Sequence, residues 1–471
     1  MVTAVVVGSG PNGLAAAITL AHAGVDVTVL DAADRPGGGM RSAEVTVPGL
    51  VHDLCSAVHP MAQASPFFNA LNLERHGLRW KHAEIELAHP LANGSAAFLW
   101  RDLERTVDSL GTDGLAWRLL LEPNVQAASE VFTTIMNPLT RVPRHPWVAA
   151  KFGTRAVMSA KLLMHSFRGE SARALFAGIA AHSFQPLTRP ATGGMGLALA
   201  VAAHAFGWPV AEGGSQAITD ALVAELREQG GRIECGSRVT TLPDADVVLL
   251  DTAPDDALAI AGDRVHSRSR RALGNWTYGP AAFKLDLAVT GGVPWRHPDV
   301  GRAGTVHVGG RMSQIADAEH QVAEGTMPEQ PVVLVGQQDV ADPSRASGDT
   351  HPLWVYGHVP HRWHGDASEA ILDHIEQYAP GFRERIVGMH VRGPAELEAE
   401  NPNYRGGDIS AGATSPMQLA FRPRPGPNPY AIGKRLYLCS AATAPGPGVH
   451  GMCGFNAARA ALRELKLPNV L

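Results

Sequence analysis

Gly8, Gly10 and Gly13 stand at fixed spacing in Gly8-Ser9-Gly10-Pro11-Asn12-Gly13, and an acid, Asp31, follows eighteen residues after the last of them. Glycines in this pattern allow a tight turn, let backbone approach a pyrophosphate and let a helix pack on a strand. An acid at that distance accepts hydrogen bonds from ribose hydroxyls and disfavours a 2′-phosphate. The chemistry is dinucleotide binding, with Pro11, Asn12 and Ala32 at its rim. A second glycine cluster, Arg35-Pro36-Gly37-Gly38-Gly39-Met40-Arg41, follows the acid at once.

These residues need a frame. Residues 3–7 form a short uncharged β-branched run, as expected of a strand buried on both faces. Residues 14–23 read as a buried helix whose N-terminal N–H groups face the phosphates, with Gly24 as its stop. Residues 25–30 give the second strand. A helical pattern over 217–226 ends at Gly230-Gly231, and short strands are expected over 232–235, 237–242 and 246–251. Residues 66–205 read as a mostly helical cap. Residues 270–430 mix strands, such as 282–288, with helices, such as 368–378. A last strand over 435–439 leads through a glycine-rich turn into a helix over 455–465.

The bulk numbers narrow the partners. Lys and Arg total 40 against 45 Asp and Glu, giving a net charge of −5, so nucleic acid is not expected. The four cysteines form no C-x-x-C pair or disulfide framework, which suits a reducing compartment. Neither a signal peptide nor a membrane-spanning run is legible, so the expected location is the cytoplasm. No G-x-S-x-G elbow, H-E-x-x-H motif or P-loop lysine occurs. His358, His361 and His364 have a spacing that suggests a metal, but Pro360 interrupts them and no Cys or carboxylate completes the set, so no metal is expected and they read as a solvated loop.

The second glycine cluster resembles the R-x-G-G signature of flavin amine oxidases and phytoene desaturases. The run PGPGVHGMCGFNAARAAL at 445–462, with GPAAFKLDLAV at 279–289 and YAPGF at 378–382, is similar to phytoene desaturase-like FAD oxidoreductases. The likeness is particularly to the branch called pyridine nucleotide-disulphide oxidoreductase domain-containing proteins. This resemblance implies an α/β fold: a Rossmann-type, glutathione reductase-like FAD domain from residues 1–65, 206–265 and 430–471. A mixed sheet-and-helix substrate or cap domain, 66–205 and 266–429, is inserted into it.

The resemblance also assigns roles. Arg35, Gly37, Gly38, Gly39, Met40 and Arg41 would pass the FAD pyrophosphate and ribityl chain, and Val239 would meet the adenine. Gly451 and Met452 would offer N–H groups to the flavin pyrimidine oxygen, where charge develops on reduction. Ser440 and Ala441 replace the acid that many flavin oxidases carry after the last strand, so contact there falls to backbone. His450 would tune the flavin or move a proton, and Lys284 matches a lysine that holds water at flavin N5.

The implied reaction is dehydrogenation of a small apolar substrate by hydride transfer to N5. Amine or imine oxidation, redox-neutral isomerisation and a non-catalytic assembly role are the alternatives. The acceptor stays open among oxygen, a quinone and a carrier protein. Oligomeric state and peripheral membrane contact stay open too.

Overall fold

The computed structural model describes residues 1–469. At its centre, β1 (Thr3–Val7) lies between β2 (Asp26–Leu30) and Val247–Leu250 in a six-stranded sheet. Arg232–Glu234 extends one edge, and Leu436–Leu438 with Ala431–Gly433 extends the other. Every neighbouring pair is parallel except that last hairpin. Parallel neighbours need a crossover, and α1 (Pro11–His22) supplies it between β1 and β2. The helix starts earlier than its apolar pattern because Pro11 suits its first turn, where an amide hydrogen would have no acceptor.

Helix α1 is covered on both sides. Leu14, Ile18 and Leu20 are fully buried against the sheet, and the C-terminal helix Met452–Leu465 crosses its other face. The approach is so close that a Cβ on Gly454 would lie 1.7 Å from the Asn12 carbonyl oxygen. The last segment of the chain thereby closes over the first.

A seven-stranded sheet stands beside this unit in the order Ile386–Arg392, Ala281–Thr290, Thr350–Val359, Val333–Gly336, Ala303–Val308, Ile85–Pro90, Ala96–Leu99. Its strands are antiparallel apart from the parallel pairing of Ala303–Val308 with Ile85–Pro90. Two of these strands lie inside 66–205, so that segment is not helical throughout. Ile85–Pro90 is buried at every position and includes Glu86 and His89, which erases the polar–apolar alternation that marks a strand.

A second expectation also changes. Residues 237–242 form no strand. The Gly236 and Ser237 amides donate to the Ala33 and Asp31 carbonyls, so the chain turns across the end of β2 instead of running on along a sheet edge. That path delivers Val239 to the site described next.

Candidate functional site

The glycine turn leaves β1 at Gly8, whose φ is +100° and where a Cβ would lie 2.8 Å from the Asp251 carbonyl oxygen. A Cβ on Gly13 would lie 2.0 Å from the Gly8 carbonyl oxygen. Asp31 closes the turn, accepting the Ser9 amide at 2.7 Å, the Ala33 amide at 2.8 Å and the Ser9 hydroxyl. The second glycine cluster folds onto the first. The Gly37 amide donates to the Ser9 carbonyl at 3.2 Å, and a Cβ on Gly38 would lie 2.9 Å from Gly10 Cα. One backbone cradle results, shaped for a group that no side chain occupies, and it fits a dinucleotide pyrophosphate.

A cavity of about 1430 Å³ opens from this cradle. Gly8, Gly10, Pro11, Asn12, Asp31 and Ala32 line it, together with Gly38, Gly39 and Arg41. Val239, Ser440, Ala441 and Met452 line it as well. Gly13, Arg35, Gly37, Met40 and Gly451 stay off the wall. Met40 is fully buried, and Gly37 packs against Thr219, where a Cβ would lie 2.7 Å from its Oγ1. Arg41 is held by its own loop, its Nε donating to the Gly38 carbonyl at 3.0 Å.

Asp251 belongs to this site although no motif marks it. It follows Val247–Leu250, takes the Gly13 amide at 2.8 Å and lines the cavity beneath the glycine turn. Burial, with the nearby Asp31 charge adding to it, pushes its carboxyl up to about 7 against the counteracting Gly13 amide. A carboxyl that keeps its proton near neutral pH does not repel a phosphate placed over the same turn.

At the C-terminal return, Gly451 has φ +67° and precedes the helix Met452–Leu465. A Cβ there would lie 2.8 Å from Phe67 and 2.9 Å from Ala15. His450 is buried and lowered to about 4 by that burial. Its Nε2 donates to the Gly446 carbonyl at 3.2 Å, and its Nδ1 accepts the Met452 amide at 3.0 Å. Both ring nitrogens are thus engaged by backbone, and the Met452 amide is spent on His450.

Beyond the cradle the cavity becomes apolar, walled by Phe184, Met195, Leu199, Trp208, Trp354 and Tyr356. Its acids are Asp31, Asp251, Asp256 and Glu400. Asp256 pairs with Arg405 at 2.6 Å, and Glu400 pairs with Arg392. Lys284 does not reach the wall. It is buried, pairs with Asp286 and sits 5.6 Å from the Trp354 ring centroid, one residue behind the lining. Burial lowers its ammonium against the opposing pull of Asp286.

His358 departs from the loop reading. It lies on Thr350–Val359, fully buried, stacked 4.0 Å from Phe184, with Nδ1 2.6 Å from Glu319. Its sequence neighbours His361 and His364 leave the strand, so the three do not converge.

Residues 6–71 match the model of the NAD(P)-binding Rossmann-like domain. Over 98% of this chain and 94% of its own length, "pyridine nucleotide-disulfide oxidoreductase domain-containing protein 2" of Rattus norvegicus is 24% identical. Hydroxyneurosporene desaturase of Cereibacter sphaeroides is 28% identical over 59% of this chain and 63% of its own. Wild-type putrescine oxidase bound to putrescine has the same fold, with a TM-score of 0.61, 17% identity and 99% coverage of both chains. The dinucleotide cradle, the sheet order and these likenesses agree: the chain has the Rossmann-type α/β fold of FAD-dependent oxidoreductases and is similar in sequence to phytoene desaturase-like oxidoreductases.

Proposed function

We propose that the protein holds FAD and dehydrogenates a small apolar substrate, forming a carbon–carbon double bond. The observation that carries this reading is the continuity of one cavity, from the glycine cradle to a wall of aromatic and aliphatic side chains. Its volume exceeds the roughly 300–1,000 Å³ of an ordinary small-molecule pocket, leaving room for a cofactor and a second molecule. Bound FAD would supply the hydride-accepting chemistry; the chain supplies orientation and exclusion of water.

The four acids of the wall favour an apolar substrate over an amine. Each is engaged by backbone or by arginine, so none is left to take an ammonium group.

Access for such a substrate is written into the mouth. Leu139, Val142 and Val157 line the cavity and are 58%, 92% and 65% exposed. From Val131 to Gly169 the chain carries six Lys or Arg and no acid, in a protein of net charge −5. Exposed apolar groups beside unbalanced basic ones suit loading from an anionic lipid surface.

The test is an absorption spectrum of the purified chain, followed anaerobically while polyenes, amines and acyl compounds are added. Bleaching of the flavin band by polyenes or other apolar compounds is expected. Bleaching by amines alone would replace the desaturase reading with an amine oxidase. A chain that takes up no FAD on reconstitution would remove the cofactor assignment.

A further inference from the structure

A row of charges runs from the second sheet to the glycine cradle. Lys284 and Asp286 stand two apart on Ala281–Thr290 and so share a face, and Arg392 lies opposite Lys284 on the neighbouring strand. Asp286 pairs with Lys284 through one oxygen and with Arg392 Nη2, at 2.6 Å, through the other. Arg392 Nη1 pairs in turn with Glu400 Oε2, at the end of helix Pro394–Glu400. Arg41 of the second glycine cluster comes next, and of the three cations in the row it alone lines the cavity.

The two arginines do not share Glu400 equally. Its Oε2 forms a close ion pair with Arg392, whereas its Oε1 stays 3.8 Å from Arg41 Nη2. Arg41 Nη2 donates instead to the Glu400 main-chain carbonyl at 3.1 Å, as its Nε does to that of Gly38. Neutral carbonyls therefore orient Arg41, and no hydrogen-bonded carboxylate neutralises it. Arg392 is fixed in its place. Its Nη2 also donates to the Leu54 carbonyl at 2.9 Å, which with Asp286 leaves Nη1 aimed at Glu400. Burial opposes the charge on Arg392, but Asp286 and Glu400 outweigh it and hold the guanidinium above its ordinary value.

We propose that Arg392 is a positioning residue for cofactor binding: it draws the Glu400 carboxylate away from Arg41, so that Arg41 keeps its charge for the diphosphate of a dinucleotide. This rests on the FAD reading and adds to it a residue of the second sheet. Were Arg392 missing, the cation within reach of Glu400 would be Arg41, and in a partly buried site a carboxylate 3.8 Å away would close onto it. An incoming diphosphate would then have to displace that carboxylate.

The test measures FAD and ADP affinity of the full chain freed of flavin, with adenosine, which lacks the diphosphate, as the control. Arg41→Met should weaken FAD and ADP by roughly tenfold or more and leave adenosine unchanged. Unaltered ADP affinity would show that Arg41 does not meet the diphosphate and would overturn the proposal. Arg392→Met should also weaken both by roughly tenfold. Adding Glu400→Gln to it should restore both to within about twofold of the wild type. A merely structural role of Arg392 gives no such restoration, because removing a charge from Glu400 repairs no packing. No loss in Arg392→Met, or a loss that persists in the double variant, would overturn the proposal.

Glu400→Gln alone keeps the question decidable should Arg392→Met not fold, since the Glu400 side chain is 26% exposed. With the carboxylate already withheld from Arg41, this variant should change ADP affinity by less than about threefold. A larger gain would show that Glu400 neutralises Arg41 in the wild type, and would overturn the proposal as well. A wild-type chain that binds neither FAD nor ADP would remove the cofactor reading itself, an outcome distinct from a loss that Glu400→Gln fails to restore.

Discussion

At the level of single residues, the site is built more from absent side chains than from present ones. Gly13 shows why: a methyl group there meets the Gly8 carbonyl oxygen at 2.0 Å, and backbone cannot swing aside as a flexible side chain can. Gly13→Ala should therefore destroy the cradle while leaving the second sheet intact. Flavin retained through gel filtration should fall to background, with far-UV circular dichroism nearly unchanged. A variant that retains flavin stoichiometrically would show that the turn is not the phosphate site.

Asp251 makes a prediction of the opposite kind, because its presence costs stability. The unfolded carboxyl ionises near 3.8, whereas the folded one holds its proton to about 7. Folding is therefore unpenalised below pH 4, loses stability as pH rises from 4 to 7, and carries the full cost above that. The three-unit gap corresponds to about 4 kcal/mol as an upper bound. Asp251→Asn still offers an oxygen to the Gly13 amide and removes the titration. Its Tm advantage over the wild type should be small at pH 4, grow to pH 7 and then level off; a constant difference over that range would contradict the burial argument.

Among the elements, legibility follows how local the signal is. The opening strand, turn, helix and acid lie within about thirty residues and answer to backbone rules that a short stretch of chain contains. The strand Ile85–Pro90 was illegible because Glu86 and His89 are buried by partners elsewhere: the Glu86 carboxylate takes the Trp208 amide at 2.7 Å, and His89 answers to Gly310. The expectation for residues 237–242 failed for a related reason, since β-rich composition says nothing about whether an open sheet edge is waiting. Lys284 could be placed on a strand from sequence, but its burial against Asp286 and Arg392 depends on three neighbouring strands.

Packing between the first and last helices is likewise legible only in three dimensions, and it sets a sharp test. Gly454 lets the C-terminal helix rest on α1, with 1.7 Å between its virtual Cβ and the Asn12 oxygen. Gly454→Ala must push the two helices apart and open the core that includes Leu14 and Ile18. A loss of about 3 kcal/mol or more is expected in urea melts, at the upper end for overpacking, together with weaker flavin retention, because Met452 moves with the helix. Stability within 1 kcal/mol of wild type would mean that the helices are not in this contact.

For the whole molecule, charge and hydropathy are distributed unevenly around one opening. The overall balance is mildly acidic, yet the stretch from Val131 to Gly169 is purely basic, and Trp147 on helix Pro146–Ala156 is 82% exposed. None of the described helices is long and apolar enough to cross a membrane. Contact with lipid would therefore be peripheral, and electrostatic attraction from Arg141, Arg144, Lys151 and Arg155 would orient the cavity mouth toward the bilayer. The protein should sediment with vesicles of mixed phosphatidylcholine and phosphatidylserine and much less with pure phosphatidylcholine. Binding should weaken at 0.5 M salt, where surface charges are screened over a few ångströms. Trp147→Glu, at a solvent-facing position outside the cradle, should lower the bound fraction severalfold without changing Tm. Equal sedimentation with both lipid mixtures, or no effect of Trp147→Glu, would show that the exposed apolar rim does not face a membrane.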